Sequence, residues 1–251
     1  MEHPEVIYTW TTILRILFDV PGVVTISGPG KVGKTDFALK LSEDIRKVPS
    51  RDSHREKPEP LIHDIASNID TEGAYPQISD LVSIRQWMFS TNRRKAYILD
   101  EANEHLSNLR SMSSQNVGFT RLLPQSTKAH CRLIVVGHSF KGIDKSILNE
   151  AWCKGAFYKE SLKSAQLFSR SLPRPFSFDN ISPTRIKFDP YAVAPFTERP
   201  EGNVYFKEAD KQLLWEWANG KTHKDLGLFP MQLHRKLIKF VYQTLESEHH
   251  T

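Results

Sequence analysis

Val23-Val24-Thr25-Ile26-Ser27-Gly28-Pro29-Gly30-Lys31-Val32-Gly33-Lys34-Thr35 is the stretch on which the fold turns. From Gly28 to Thr35 it reads G-x-x-x-x-G-K-[ST], a complete P-loop. The β-branched run Val23 to Ile26 precedes it, as a buried strand would. Phe37, Ala38, Leu41 and Ile45 follow at helical spacing. Gly28, Gly30 and Gly33 let the backbone curl with its N–H groups inward, a cradle for phosphates, with Pro29, Lys31 and Val32 between them. The start of the following helix adds a positive dipole. Lys34 is then placed to reach the β- and γ-phosphates, and the Thr35 hydroxyl is a ligand for Mg²⁺. A glycine-rich turn with a chance lysine is the plainer alternative. The full match between a strand and a helix favours nucleotide binding.

Hydrolysis needs a second site, and Lys95-Ala96-Tyr97-Ile98-Leu99-Asp100-Glu101 offers one. An acid at the tip of a buried strand is costly without a cationic partner. Mg²⁺ held by Thr35 and Asp100 supplies that partner, as in a Walker B site, and Glu101 is placed to polarise an attacking water. The plainer alternative for Asp100 is a helix N-cap. A third strand, Arg132 to Gly137, ends in His138-Ser139. A polar residue there senses a γ-phosphate or merely bonds the backbone, with His138 the first candidate.

Around these motifs the pattern predicts a lead-in helix over residues 5–19, with Trp10 weighed as a neighbour of an adenine base and as a packing residue. Arg46 to Pro60 reads as a loop, Leu61 to Ile69 as a strand, and Asp80 to Phe89 as a helix with Ser79 its N-cap. Ala102 to Arg110 reads as a short helix. Val117 to Ala129 reads as a helix interrupted by Pro124. Arg110 and Arg121 are the candidates for an arginine finger acting on a neighbouring copy; the plainer reading is two surface arginines. Ile143 to Trp152 reads as a helix, and Gly155–Tyr158 with Ala165–Phe168 as a hairpin.

The expected organisation is a core over residues 1–170, a proline- and aromatic-rich connector over 171–205, and a helical tail over 206–251. The tail reads as three helices with a tight glycine turn, a possible helix-turn-helix. Lys221, Lys224, Gln232, His234, Arg235, Lys236 and Lys239 are its candidate DNA contacts; a helical lid or oligomerisation domain is the alternative.

Composition sets the outer bounds. The 251 residues carry a formal charge of +5 and are 39% hydrophobic, which permits a nucleic-acid partner without requiring one. No apolar run approaches a membrane span and the start is not a signal peptide, so the expected place is the cytoplasm or the inside of a virus particle. Cys131 and Cys153 fit no zinc spacing and are expected as thiols.

The motifs Gly28–Thr35 and Ile98–Glu101 together resemble the additional-strand, catalytic-glutamate class of P-loop ATPases, over Gly22 to about Tyr158. Within that class the order of features is similar to FtsK/HerA-type DNA-translocating ATPases, including compact ones of viruses and plasmids. The resemblance implies an α/β P-loop NTPase fold: a mainly parallel RecA-like sheet flanked by helices, here with a small helical C-terminal region. It also implies ATP and Mg²⁺, double-stranded DNA as partner, and a homo-oligomer, a ring with inter-subunit sites. The chain departs from the group in carrying His138 where glutamine is common, and in its tail. The leading expectation is ATP hydrolysis coupled to DNA translocation or packaging. The alternatives are an ATP-switched DNA-binding regulator of replication, transposition or transcription, and a nucleotide-gated interaction protein without nucleic acid.

Overall fold

The computed structural model describes residues 8–50, 59–106, 114–139, 152–192 and 194–196. Its elements are α1 (Trp10–Phe18), β1 (Val23–Ser27), α2 (Lys34–Lys47), β2 (Asp64–Ser67), α3 (Leu81–Phe89), β3 (Lys95–Leu99), α4 (Ala102–His105), α5 (Ser114–Lys128), β4 (Cys131–Val136), β5 (Cys153–Lys159), β6 (Ala165–Phe168) and β7 (Phe176–Phe178). The seven strands form one sheet in the order β2-β3-β4-β1-β5-β6-β7. The pairs from β2 across to β5 are parallel, and β6 and β7 are added antiparallel.

β1, β3 and β4 are buried along their whole length, as parallel strands covered on both faces must be. Alternate residues serve alternate faces. Val24, Ile26, Ala96, Ile98, Ile134 and Val136 join α1 and α2 in one hydrophobic layer. Val23, Tyr97, Leu99, Leu133 and Val135 join α3 and α5 in the other. β4 therefore lies between the P-loop strand and the strand that ends at Asp100. This inserted strand brings three strand tips to one end of the sheet.

Several local expectations change. The N-cap of α3 is Asp80, whose side chain accepts from Ser83 N at 2.8 Å, one residue after Ser79. α5 runs through Pro124, which is exposed. Trp10 packs edge-on to Phe157 and Phe178 and donates to Asp44 Oδ2 at 3.1 Å, so it belongs to the core and not to a base site. β7 lies in the stretch read as a connector and adds the last strand to the sheet. Met1–Glu198 forms one compact unit and Arg199–Thr251 another. The expected helix over Ile143 to Trp152 falls outside the described residues, except for Trp152, and the tail from residue 206 falls wholly outside them. Both cysteines are free thiols.

Candidate nucleotide site

β1 ends at Ser27 and the chain turns through Gly28 at φ 149°, Lys31 at φ 63° and Gly33 at φ 74° before α2 begins. Gly28 is packed so closely that a Cβ there would stand 2.3 Å from the Lys159 carbonyl oxygen. Gly33, in the left-handed region, is the N-cap of α2 and gives it no side-chain cap. The first N–H groups of a 14-residue helix are thus left for an anion. Pro29, Gly30 and Lys31 lie exposed on the loop and Val32 is half-buried.

Lys34 folds back over this loop and donates from Nζ to Pro29 O at 2.6 Å. Burial lowers its pKa, and the charge of Asp100 opposes the shift. Thr35 Oγ1 donates to Asp100 Oδ2 at 2.7 Å, which joins the P-loop helix to the tip of β3 across the inserted strand. Burial raises the Asp100 pKa, against the hydrogen bonds from Thr35 and the Glu101 N–H. Glu101 sits in the left-handed region at φ 55°, ψ 36°, an unusual conformation for a side chain of its size. Burial, then the charges of Glu104 and Asp100, raise its pKa, and the Ala194 N–H opposes them. One carboxylate oxygen, Oε2, is buried without a hydrogen-bond partner.

Two asparagine side chains that the sequence reading passed over complete this corner. Asn68, fully buried past the end of β2, accepts from Asp100 N at 2.8 Å and donates to Asp100 O at 3.2 Å. Asn103, in the first turn of α4, bonds the backbone of His138 and Ser139. Asn68 was legible as a polar residue at a strand tip; nothing in the local sequence marks Asn103.

The start of α2 and the tips of β3 and β4 border a cavity of about 780 Å³. Lys34, Thr35, Asp100, Glu101 and His138 form part of its wall, and Leu162, Ile181, Phe188 and Tyr191 add apolar surface. A smaller hollow of about 70 Å³ adjoins it, lined by Thr35, Asp100, Glu101, Gln77 and Asp189 among others. Residues 181–192 and 194–196 pass over this end of the sheet as a strap. It is tied to α2 where Thr184 N donates to Asp36 Oδ1 at 3.1 Å and Thr184 Oγ1 to Glu43 Oε2 at 2.9 Å. It is tied to the acidic corner where Ala194 O meets His105 Nε2 at 2.9 Å and Phe196 packs on His105 and Phe119.

The Thr35 hydroxyl and Asp100 carboxylate are hard oxygen donors, the set Mg²⁺ takes beside water and phosphate oxygens, so the residues present fit that ion. The uncapped helix start, the left-handed loop and Lys34 fit a polyphosphate. The structure brings Gly28–Thr35, Asp100, Glu101 and His138 together. Arg121 is exposed on α5 and is not among the residues lining the cavity. Arg110, Lys221, Lys224, Gln232, His234, Arg235, Lys236 and Lys239 lie outside the described residues.

The chain matches no family model. It matches no curated protein sequence. Among solved structures it is similar to the N-terminal domain of zonular occludens toxin from Neisseria meningitidis, at 11% identity and a TM-score of 0.42, over 67% of this chain and 95% of that one. It is similar to the genome packaging NTPase B204 from Sulfolobus turreted icosahedral virus 2 in complex with ATP-gammaS, at 9% identity and a TM-score of 0.46, over 64% and 98%. It is also similar to the cytoplasmic domain of the Thermomonospora curvata Type VII secretion ATPase EccC, at 10% identity and a TM-score of 0.44, over 65% of this chain but 24% of that one. Each is a likeness of fold.

Proposed function

We propose that the chain is a Mg²⁺-dependent ATPase whose turnover is coupled to work on double-stranded DNA, translocation or packaging, as a homo-oligomer. The observation that carries the ATPase half is the 2.7 Å bond from Thr35 to Asp100, which gathers the P-loop hydroxyl and the strand-tip carboxylate at one point with Glu101 beside them. The P-loop N–H groups and Lys34 bind and orient the phosphates. Thr35 and Asp100 would hold the metal, which would offset negative charge on the phosphate oxygens. Glu101 takes the proton of the attacking water, and its raised pKa suits that task. His138, on the wall of the same cavity, reads the state of the nucleotide. Preorganised charge rather than a covalent intermediate does the catalysis.

The DNA half is supported by the resemblance to FtsK/HerA-type proteins and by the net charge of +5. The basic tail, with Lys221 to Lys239, favours a second reading, an ATP-switched regulator that finds a particular DNA sequence. Steady-state ATP hydrolysis with Mg²⁺, with and without double-stranded DNA, separates the two. Turnover stimulated by DNA of any sequence, and lost in Lys34→Ala and Glu101→Gln, is the expected result. Tight ATP binding with negligible turnover, indifferent to DNA, would overturn the motor and leave a switch.

A further inference from the structure

We propose that Asn103 is a positioning residue for the reaction, locking the tip of β4, with His138 on it, to the helix that Glu101 begins. The proposal rests on the ATPase reading above. Its physical basis is a gap in the sheet. The β3–β4 ladder ends at the pair Leu99 and Val135, after which the chain turns away through Glu101 in the left-handed region. On the other side the β1–β4 ladder ends at Ile26 and Val136, and Gly137 N makes a last bond to Ile26 O at 2.9 Å. The peptide groups of His138 and Ser139 lie beyond both ladders, on an exposed stretch where no strand neighbour holds them.

Asn103 replaces the missing strand. Its Oδ1 accepts from His138 N, and from Ser139 N at 3.2 Å, while its Nδ2 donates to Ser139 O at 2.9 Å. One amide thereby makes donor and acceptor bonds to consecutive peptides, as a neighbouring strand would. The same side chain stands two residues from Glu101, in a helix of 4 residues too short to hold its own position. The water-activating carboxylate and the strand-tip histidine, both on the cavity wall, are therefore set relative to one another by this amide. Asn68 performs the matching service on the opposite side of β3, where its amide brackets both peptide groups of Asp100.

A group of this kind acts on turnover and leaves nucleotide affinity alone, because the P-loop is untouched. The test uses the full chain with Asn103→Ala and Asn103→Asp. In Asn103→Ala, amide hydrogen exchange at residues 138–139 should quicken by about tenfold or more, the scale of losing two or three hydrogen bonds. In Asn103→Asp, which keeps the acceptor oxygens but loses the donor and adds a negative charge, most of that protection should return. For ATP hydrolysis, Asn103→Ala should lower kcat by about tenfold or more with KM within about twofold, and Asn103→Asp should recover part of kcat. An active wild-type enzyme with unchanged exchange in Asn103→Ala, or a loss expressed only in KM, overturns the proposal and leaves the ATPase reading standing. A wild-type chain that hydrolyses no ATP overturns both.

Discussion

Asp100 and Glu101 show what burial costs at single residues. Both carboxyl groups have pKa values raised above the ordinary range, burial being the first cause in each. A folded state that holds the Asp100 proton more tightly than the unfolded chain loses stability as pH rises from the ordinary carboxylate value through the raised one. Above that window the ionised form is a standing cost. Asp100→Asn keeps the shape and removes the charge, so thermal denaturation without nucleotide at about neutral pH should show a higher Tm, while ATP turnover disappears. Glu101 gives a prediction in the same terms. Its base form predominates only above a pKa higher than the ordinary 4.5, so kcat should climb with pH through that raised value. Glu101→Gln should flatten the limb and lower kcat by about 100-fold or more with ATP binding retained. Gly28→Ala should fail differently, since its Cβ would meet backbone, not a yielding side chain, and both stability and nucleotide binding should fall. These residues were legible because the P-loop and the acidic strand tip are local patterns. Asn103 was not, because what defines it is a neighbour 35 positions away in the chain.

Among the elements, buried cations at the end of the sheet away from the site decide how two helices stop. Arg132, at the start of β4, donates from Nε to Phe18 O at 2.8 Å and from Nη2 to Asp19 O, the closing carbonyls of α1. Lys95, at the start of β3, donates from Nζ to Met88 O at 2.9 Å and Thr91 O at 2.6 Å, which caps α3. Positive charge at a helix C-terminus also complements its dipole. Burial lowers the Arg132 pKa to about 10, still well above neutral, so the cation persists. Arg132→Met removes the donors but leaves the carbonyls buried, and chemical denaturation should report a loss of about 2–4 kcal/mol with nucleotide affinity unchanged. Hydrophobic periodicity foretold where strands and helices lie, because each buries a face with its own repeat. It could not foretell that Lys95 and Arg132 face inward, since a charged residue at a strand start reads as solvated until the carbonyls opposite it are known. Pro124 misled for a related reason: a missing N–H breaks a helix on average, yet α5 is held by its seat on β4 and α3.

The whole molecule is where the sequence was least explicit, because strand order is set by long-range packing. The motifs named the three strands that matter; only the fold shows β4 inserted between the other two and the antiparallel pair β6–β7 on the edge. Both hydrophobic layers are built from residues of the unit Met1–Glu198. A chain ending at Glu198 should therefore fold and bind ATP, and calorimetry against the full chain checks this. If residues 199–251 carry DNA recognition alone, the shortened chain should keep basal turnover and lose binding to a particular DNA sequence; a motor should keep some stimulation by DNA. The strap of residues 181–192 and 194–196 has a mechanical meaning. Phe196 belongs to one hydrophobic layer and Ala194 to the other, so the strap knots the two together across the mouth of the site. A pull on the strap at Phe196 is borne first by its ring, wedged between His105 and Phe119. It is borne next by the bonds of Ala194 O to His105 and Asn68, the immediate neighbours of the acids. A pull on the strap is thus delivered as a load on the corner that holds Asp100 and Glu101.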